Sequence, residues 1–495
     1  MRAGQGMYID EEDIENPFAS KSPSPTIRNV ATFYRSQPVL DRRIHILGGG
    51  NDGRFIAHAL RGIPNPPPTT LIFNRWDQIN EWNTSSKKLQ VITEGNPENR
   101  DGFEAELAFM RHRIHGKEIQ YKSSNAGDPF PETASGPPKE ETPIIHEGES
   151  TEPISSLILC TKATSVLQAL SGVKHRLNKE SVILFMQNGM GIVEMVNREI
   201  FPDPETRPYY MLGVNTHALR STPGAPFTTV HAGFGTIAVS IMPHERLRPP
   251  APYAPVAKFS ALGRLPVTPA HPAVPDPDTP TPTDTALTWT PNHRHLLRTL
   301  LRAPVLCVTA FSPPDLLQIQ LEKIAVSCII QPLTVMLDAR NGAILYNYAL
   351  TRSMRLLLSE ISLVIRSLPE LQYIPNVQQR FDPGRLETMV VGFANKSKNN
   401  ISNMLADLRA GRQTEIDYLN AWIVKKGEEQ GVRCLMNYMM VNLVKGKETM
   451  IRLEIAEGVP FVDREAGDGQ ILIKEGVGVS EVVLKEPEGI EKANE

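Results

Sequence analysis

The first half of the chain alternates short apolar runs with stretches in which apolar residues recur at helical spacing. The apolar runs lie at residues 44–47, 71–73, 157–160 and 182–185. Between the first two, Phe55, Ile56, Ala59 and Leu60 follow helical spacing, and residues 166–177 form a second such stretch. Continuous apolar strands separated by helices are typical of a parallel sheet covered on both faces. We therefore predict an α/β fold for this half.

After about residue 296 the pattern predicts helices and no further strands. The predicted helices are 316–337, 350–368, 402–408, 415–430 and 436–444. The expected organisation is a sheet domain over 43–295, followed by an all-helical domain over 296–460. A ligand site is expected in the cleft between them.

Four segments differ in composition from this compact pattern. They are a polar N-terminal extension (1–42), two inserts (122–152 and 249–282) and a C-terminal tail (461–495). The second insert has eleven prolines in 34 positions. Proline removes a backbone donor and fixes φ, which excludes a helix or a central strand there. We expect an extended, solvated loop, and a partner-binding role for it stays open.

A glycine-rich motif follows the first apolar run. Its residues are Gly48, Gly49, Gly50, Asn51, Asp52 and Gly53, which contain the spacing G-x-G-x-x-G. The order of strand, glycine turn, helix and strand is typical of a Rossmann-type dinucleotide-binding unit, whose helix N-terminus binds the pyrophosphate. A glycine-rich turn without a ligand is the alternative.

Arg75 ends the second predicted strand, 22 residues after Gly53. An acidic residue at this place would bind a free ribose 2′-hydroxyl, whereas a cation suits a 2′-phosphate. The sequence therefore favours NADPH over NADH. The alternative is a solvated arginine at a strand end.

Composition narrows the function classes further. With a net charge of −3 over 495 residues, the chain has no electrostatic footprint for nucleic acid or an anionic membrane. No uninterrupted apolar run reaches the roughly 18 residues of a membrane helix. The His, Cys and carboxylate residues show no metal-binding spacing, so no metal is expected.

The cysteines and the N-terminal residues indicate where in the cell the protein is expected. Cys160, Cys307, Cys328 and Cys434 form no C-x-x-C pair, and we expect reduced thiols in the core of an intracellular protein. The first 36 residues are rich in acidic side chains and have no apolar signal core. A cytosolic location is expected, and a mitochondrial one stays open.

A longer series of motifs resembles the ketopantoate reductase family over residues 43–242 and 315–447. Besides the glycine motif, the matching segments are 160–163 (Cys-Thr-Lys-Ala), 187–191 (Gln-Asn-Gly-Met-Gly), 215–218 (Asn-Thr-His-Ala), 231–233, 322–334, 341–342, 400–409 and 412–417. The resemblance implies reduction of the C2 ketone of ketopantoate to pantoate with NADPH.

The resemblance also implies roles for individual residues. The glycine motif would hold the pyrophosphate, Arg75 the 2′-phosphate, and Lys162 and Asn188 the cofactor side of the cleft. Lys323 would be the general acid and Glu415 would orient the substrate. The implied substrate-binding set is Asn188, Lys323, Ser327, Gln331, Asn341, Asn400, Asn403 and Glu415. His217 and His231 are interpreted as structural.

The residues themselves give partial support to this chemistry. Lys323, Ser327 and Gln331 share one face of an otherwise apolar helix, because they are four residues apart. A positioned ammonium can stabilise and then protonate the alkoxide left by hydride addition. The alternatives are a snorkelling lysine at 323 and, for Glu415, a carboxylate that only stabilises a helix dipole.

Four positions depart from the family pattern, one of them Leu435, which stands where a proline is usual before the last helix. Ser327 and Gln331 stand where bacterial members usually have asparagines, and Asn403 replaces a serine. The identity of the 2-oxo acid therefore stays open, and so does a non-catalytic NADP(H)-binding interaction protein. The expected partners are a small 2-oxo acid and, as an open alternative, a second copy of the chain.

Overall fold

The computed structural model describes residues 41–108, 149–222, 224–244 and 289–457, together with the backbone of two short strands between 113 and 118. Almost all of the predicted N-terminal extension and most of the insert at 122–152 lie outside the described residues. The proline-rich insert at 249–282 and the tail at 461–495 lie entirely outside them.

Eight of the described strands form one twisted sheet. The fourteen described strands are β1 (Ile44–Leu47), β2 (Thr69–Phe73), β3 (Leu89–Thr93), β4 (Asn96–Arg100), β5 (Phe103–Leu107), β6 (Arg113–Ile114), β7 (Lys117–Glu118), β8 (Ser156–Leu159), β9 (Val182–Phe185), β10 (Tyr209–Asn215), β11 (Ala218–Thr222), β12 (Ala225–Gly233), β13 (Ile237–Ile241) and β14 (Val308–Ala310). The large sheet has the spatial order β14-β13-β10-β9-β8-β1-β2-β5. Its pairs are parallel except β10 with β13. The predicted α/β fold is confirmed.

The apolar runs form the central strands because both of their faces are covered. Along β9, Val182 and Leu184 pack in the core on one side of the sheet, and Ile183 and Phe185 pack on the other. Successive side chains of a strand point to opposite faces, so a strand buried on both must be apolar throughout.

A second sheet of four strands, in the order β11-β12-β3-β4, was not predicted. Its central pair, β12 with β3, is parallel and joins Thr228–His231 to Gln90–Thr93. These strands alternate buried and exposed positions and lack the continuous apolar character of the main sheet. The central pair joins segments that lie far apart in the chain, so no local pattern indicated it, whereas β3 with β4 and β11 with β12 pair as hairpins of neighbouring strands.

The described helices pack on the main sheet or form the second region. They are α1 (Asn51–Arg61), α2 (Trp76–Thr84), α3 (Val166–Val173), α4 (Ile192–Glu199), α5 (Pro291–Leu301), α6 (Pro313–Leu337), α7 (Tyr348–Arg366), α8 (Val377–Arg380), α9 (Pro383–Lys396), α10 (Asn403–Arg409), α11 (Asn420–Glu429) and α12 (Leu435–Glu457). Helix α6 packs against α7, α9, α10 and α12, and also touches β10 and β13. It is therefore both the centre of the helical region and its connection to the sheet.

The prediction that strands end near residue 296 is wrong. Strand β14 pairs in parallel with β13, and Leu296 and Leu300 of α5 pack in the core beneath the sheet. The predicted boundary between 295 and 296 falls inside α5, and the helical region begins with α6. A three-residue strand between prolines has too few positions for an alternating pattern.

The predicted helix at 415–430 is in fact two elements. A single 3₁₀ turn, Ile416–Tyr418, precedes α11, and Leu419 between them has φ −113° and ψ −102°, outside the helical region. The last helix extends to Glu457 rather than ending near Val444. Helices α2, α4, α5, α8 and α9 were not predicted.

The cysteine prediction needs one correction. All four thiols are free, Cys328 and Cys434 are buried as expected and Cys160 is partly buried, but Cys307 is exposed. Cys307 follows a 3₁₀ turn (Pro304–Leu306) in a left-handed conformation, with φ 44°. Leu306, the residue before it, is fully buried, whereas the turn directs Cys307 outward.

Helix α6 is long and apolar enough to cross a membrane by length and composition alone, and it is the one such helix among the described residues. The core helix of a soluble protein passes the same test. Here Ile324, Cys328 and Ile329 are fully or almost fully buried against the other helices. The helix therefore serves as the core of the helical region, with Lys323 on its sheet side.

Candidate active site

The glycine loop has the geometry of a phosphate cradle. Gly48 has φ +117°, and a Cβ on it would lie 2.8 Å from the backbone of Cys160. A Cβ on Gly53 would lie 2.2 Å from the Gly48 carbonyl oxygen. Gly50, in contrast, has open space beside it, with no atom nearer than 4.0 Å. The loop is thus closed against the sheet and open outward, as a bound pyrophosphate requires.

The N-terminus of α1 supports the same assignment. The helix begins at Asn51, and the N-cap residue Gly50 has no side chain to cap it. Its first backbone N–H groups are therefore available to an anion. The residues of this chain fit a dinucleotide pyrophosphate at the loop.

Asn51 and Asp52, predicted to bind cofactor, both contact protein groups. The Ser221 hydroxyl donates to Asn51 Oδ1 at 3.1 Å, and the Asn215 amide donates to Asp52 Oδ1 at 2.5 Å. These two bonds tie the loop to β11 and to the end of β10. Sequence reasoning did not assign a role to Asn215, although it ends a buried strand at the edge where ligands bind.

Arg75 lies two residues beyond the end of β2 and is largely exposed. Its Nε is 3.9 Å from Asp77 Oδ1, and both side chains are solvated. Such a pair contributes little and leaves the guanidinium accessible. A small apolar depression lies between the glycine loop and β2, with Gly49, Phe73 and Arg54 in its wall.

Lys162 follows β8 and contacts the helical region. Its ammonium forms an ion pair with Asp407 of α10, and Arg412 Nε donates to the same carboxylate oxygen at 3.0 Å. Asp407 is almost fully buried. A buried carboxylate needs such partners. Sequence reasoning missed Asp407, although an acidic residue within the apolar run 404–408 was an available signal.

Glu415 is buried and joins the two regions. Its Oε1 accepts a hydrogen bond from the Ala163 backbone N–H at 2.9 Å. Burial raises the pKa of Glu415, and this is opposed by the Ala163 hydrogen bond and the charge of Lys162. Because Glu415 precedes a 3₁₀ turn and no α-helix begins there, the helix-dipole alternative fails.

A second buried carboxylate positions the segment that carries Glu415. Glu448 of α12 accepts from both the backbone N–H and the hydroxyl of Thr414, at 3.2 and 2.9 Å. Sequence reasoning missed Glu448, because the last helix was predicted to end before it. Once that helix is known to continue, Glu448 lies on its buried face with Val444 and Ile451.

Lys323 lies on the side of α6 that faces the sheet. Its ammonium donates to the backbone carbonyl of Asn215 at 2.7 Å. Burial lowers the pKa of Lys323, and the charges of Asp52 and Glu415 oppose this decrease. Two carboxylates, one from each region of the chain, therefore act on one ammonium group.

A small open cleft lies beside the Lys323 side chain. Its lining includes Gln187, Asn188, Gly189, Lys323 and Ser327. The loop after β9 closes one side, because the Met190 backbone N–H donates to the Tyr418 carbonyl at 2.9 Å. The cleft thus lies at the carboxyl ends of the sheet strands, where α/β folds bind ligands.

Several buried oxygens near this region have no hydrogen-bond partner among the described residues. They are Thr161 Oγ1, Gln187 Oε1, Gln331 Oε1 and Asn341 Oδ1. Thr161 and Gln187 follow two adjacent sheet strands, and Gln331 lies on α6. Unsatisfied buried polar atoms are costly and mark places where a ligand or water completes the structure.

The predicted substrate-binding residues separate into groups. Asn188, Lys323 and Ser327 line one cleft. Gln331 is half-buried two turns beyond Lys323 on the same helix. The Asn341 backbone N–H donates to the Asn400 carbonyl at 2.9 Å, and its side-chain amide donates to Ser397.

Asn403 is exposed at the start of α10. Its neighbour Ser402 is the buried residue, and caps the helix by accepting from the Leu405 N–H. Asn400 is exposed as well. The structure does not bring these two side chains into the cleft that Lys323 lines.

His217, in the turn between β10 and β11, and His231, on β12, form a buried pair near the glycine loop. His217 Nδ1 lies 3.0 Å from His231 Nε2, and its other ring nitrogen lies 3.1 Å from the Leu306 carbonyl. Burial lowers the pKa of both rings. Their contacts are with protein groups. Across the described ranges, no group of three or more His, Cys, Asp or Glu residues is arranged to hold a metal ion.

Two family models match the chain at the two regions described above. Residues 44–244 match "Ketopantoate reductase PanE/ApbA", and residues 315–448 match "Ketopantoate reductase PanE/ApbA C terminal". Together they span most of the residues that the structure describes.

Individual relatives point the same way and differ in substrate. A probable 2-dehydropantoate 2-reductase of Schizosaccharomyces pombe is 27% identical over 296 residues, covering 59% of this chain and 74% of the relative. Ketoisovalerate reductase BEA2 of Gibberella fujikuroi is 24% identical over 421 residues, covering 78% of each.

Solved structures share the fold. A PanE/ApbA family ketopantoate reductase from Ralstonia eutropha has a TM-score of 0.53 at 15% identity. D-mandelate dehydrogenase with NADH and anilino(oxo)acetate has a TM-score of 0.52 at 14% identity, and dimeric ketopantoate reductase from Staphylococcus aureus has 0.50 at 12%. Each alignment covers 83% of this chain and 99% of the solved one. With both family regions matched in order, the chain belongs to the ketopantoate reductase family.

Proposed function

We propose that this protein reduces the ketone of 2-dehydropantoate to (R)-pantoate with NADPH. The observation that carries the proposal is the Lys323 ammonium, which lines a cleft at the sheet's carboxyl edge and is influenced by two carboxylates. The family is that of ketopantoate reductases. A lysine placed in this way is suited to meet negative charge on a carbonyl oxygen.

Different residues of the chain would bind the cofactor, donate the proton and orient the substrate. Bound NADPH would supply the hydride, and the glycine loop with Arg75 would hold its phosphates. Lys323 would stabilise the substrate alkoxide and donate the proton from Nζ to it. Burial lowers the pKa of Lys323, which makes it a stronger acid than a solvated lysine. Glu415 would orient the substrate and hold the two regions together through Ala163.

The choice of NADPH rests on Arg75. An exposed cation beyond the second strand suits a 2′-phosphate, and its ion pair with Asp77 is long and solvated. Since D-mandelate dehydrogenase, which shares the fold, was solved with NADH, the cofactor needs a direct test.

A second substrate is favoured by one specific observation. The relative that aligns with 78% of this chain is named a ketoisovalerate reductase, whereas the 2-dehydropantoate 2-reductase of S. pombe aligns with 59%. The two acids differ by one hydroxymethyl group. A site built to bind a hydroxyl strongly rejects the analogue that lacks it, so the two substrates are separable.

The test is NADPH oxidation followed by absorbance, with 2-dehydropantoate, 2-ketoisovalerate and benzoylformate as substrates. We expect the highest kcat/KM with 2-dehydropantoate. A higher kcat/KM with 2-ketoisovalerate would make that acid the preferred substrate and leave the proposed ketone reduction unchanged. No oxidation above the rate without substrate, for any of the three, overturns the proposal.

We also propose that the protein forms a homodimer through α12. One face of this helix packs in the core, while Met439, Leu443, Met450 and Leu453 on the other face are exposed. These four recur at heptad-like spacing, and they are distributed almost symmetrically about Gly446. A glycine with open space at its Cβ allows another helix to approach closely.

Such a stripe is self-complementary in an antiparallel pair. Met439 of one copy would lie beside Leu453 of the other, and Leu443 beside Met450, with the two Gly446 residues at the centre. A two-fold interface requires this kind of reciprocity. The S. aureus reductase that shares the fold is dimeric, which supports the proposal.

A further inference from the structure

Three residues from three parts of the chain form a continuous hydrogen-bonded series at the site. The Asn215 side-chain amide donates to Asp52 Oδ1 at 2.5 Å, and the Asn215 backbone carbonyl accepts from Lys323 Nζ at 2.7 Å. Asp52 belongs to the glycine motif and lies in the first turn of α1, Asn215 ends β10, and Lys323 lies on α6. The phosphate-binding loop and the candidate proton donor are therefore separated by one residue.

The orientation of Asn215 is determined by its surroundings. Its side-chain Oδ1 accepts from the His217 backbone N–H at 2.9 Å, so the amide nitrogen faces Asp52. Asn215 is buried, with 8% of its surface exposed. All three polar groups of Asn215 that this argument uses have hydrogen-bond partners: the side-chain oxygen, the side-chain nitrogen and the backbone carbonyl. Together these bonds determine the orientation of the residue.

The position of Asp52 is unusual for a residue that only stabilises its helix. A carboxylate in the first turn of a helix commonly interacts with the dipole or caps the N-terminus. Here the N-terminus of α1 has no side-chain cap, and the carboxylate bonds outward to Asn215. A negative charge beside a pyrophosphate site is unfavourable by itself, so its retention requires another interaction.

The other charged groups around Lys323 leave Asp52 and Glu415 as its counter-charges. Glu322, the neighbour on α6, is bound by Arg380 and Arg385. Lys162 is paired with Asp407.

The remaining titratable groups of this region are neutral near pH 7. Burial lowers the pKa of His217 and His231 and raises the pKa of the Cys160 thiol. The proximity of Asp52 favours the charged form of Lys323, against the effect of burial.

We propose that Asp52 and Asn215 are positioning residues for Lys323, which hold its ammonium at the cleft and keep it protonated. This rests on the proposed function, in which Lys323 donates the proton. It follows that the loop that binds the cofactor also maintains the acid, so that a change in the loop alters proton donation without touching the substrate.

The first test uses Asp52→Asn, which keeps the shape and removes the charge. Asp101→Asn is the matched control, because Asp101 is an exposed carboxylate of the same region, 3.9 Å from Lys88. In Asp52→Asn we expect the alkaline limb of the kcat–pH profile to move about one unit toward lower pH, since a nearby carboxylate no longer favours the ammonium. The control should keep the wild-type profile.

One outcome of this experiment would contradict the proposal. If Asp52→Asn lowers the melting temperature and leaves the alkaline limb in place, the residue only stabilises α1 and the proposal fails. Asn215→Ala keeps the backbone carbonyl and removes the side chain. We expect it to move the limb in the same direction, and an unchanged limb in this variant would remove Asn215 from the proposal.

A second readout is independent of turnover. Lysine labelling with formaldehyde and a reductant over a range of pH, with mass spectrometry of the peptide that contains residue 323, reports the protonation midpoint of Lys323. We expect a lower midpoint in Asp52→Asn than in the wild type. If the wild type reduces no 2-oxo acid but the midpoint of Lys323 is lower in Asp52→Asn, the proposed function fails, whereas the influence of Asp52 on the protonation of Lys323 is supported. An unchanged midpoint in Asp52→Asn overturns the proposal that Asp52 keeps Lys323 protonated.

Discussion

The carboxylate of Glu415 accepts a hydrogen bond from the backbone N–H of Ala163 at 2.9 Å, although 252 residues separate them in the chain. Ala163 follows strand β8 of the sheet region, and Glu415 belongs to the helical region. Together with the adjacent ion pair of Lys162 and Asp407, this bond connects the sheet region to the helical region beside the site. A change at Glu415 should therefore affect both substrate orientation and the relation of the two regions.

Glu415→Ala should raise KM and lower kcat together. The carboxylate is expected to contact the substrate in both the ground state and the transition state, and its loss also leaves the Ala163 N–H without its acceptor. Glu415→Gln keeps an acceptor for Ala163 and removes only the charge. Steady-state kinetics of both variants should show a smaller KM effect for Gln, and equal kinetics to the wild type in both would contradict the role.

Lys323→Ala should lower kcat by roughly 100- to 10,000-fold, the range for loss of a general acid. The Kd for NADPH should change little, because the glycine loop and Arg75 belong to the sheet region. Lys179→Ala is the control, since Lys179 is exposed before the amino end of β9, away from the cleft. Wild-type turnover of Lys323→Ala with the preferred substrate would exclude the proposed acid.

Arg75→Ala should weaken NADPH binding and leave NADH binding nearly unchanged. A charge-assisted bond to a phosphate is worth roughly 1.5–3 kcal/mol, which corresponds to an increase in Kd of about 10- to 150-fold. Fluorescence titration with each cofactor measures both values. NADH serves as the internal control, and an equal loss for the two cofactors would remove Arg75 from the 2′-phosphate site.

The protein should lose stability as the pH falls below 6.5. Burial lowers the pKa of His58 and of His293 to about 4, and that of His45 to about 3. Their folded pKa values lie below the unfolded value, so their contribution is fully present above pH 6.5 and is lost as the pH falls toward 4.

His58→Gln tests this with a residue that can still bond to the Glu98 carbonyl, which lies 3.0 Å from His58 Nε2. The difference in melting temperature between pH 7.5 and pH 5 should shrink by a few degrees, because one buried histidine accounts for roughly 1–2 kcal/mol at pH 5. An unchanged difference would mean that His58 is not a source of the acid sensitivity.

Leu443→Glu should convert the proposed dimer to a monomer, because it places a charge at the centre of the apolar stripe on α12. Sedimentation velocity measures the change. Leu301→Glu is the matched control, since Leu301 is an equally exposed leucine at the end of α5. A wild-type protein that sediments as a monomer, or dissociation of both variants, would contradict the interface.

The sequence by itself determined the features that depend on local patterns. The apolar runs predicted β1, β2, β8 and β9, and the glycine motif with its flanking strand and helix predicted the cofactor-binding unit. The spacing of Lys323, Ser327 and Gln331 placed them on one helix face, and Lys323 and Ser327 do line one cleft. These predictions hold because strand period, helix period and glycine turns each extend over only a few residues.

The tertiary structure alone decided which residues meet. Lys323 reaches Asn215 across 108 residues, and Lys162 reaches Asp407 across 245. The second sheet and the return of β14 to the main sheet likewise depend on distant segments. Exposure differs for the same reason: Asn403 had the position of a substrate contact in the motif, but the cap of α10 buries Ser402 and leaves Asn403 in solvent. Long-range hydrogen bonds and packing leave no period in the sequence, so their pairing becomes visible only when the chain is folded.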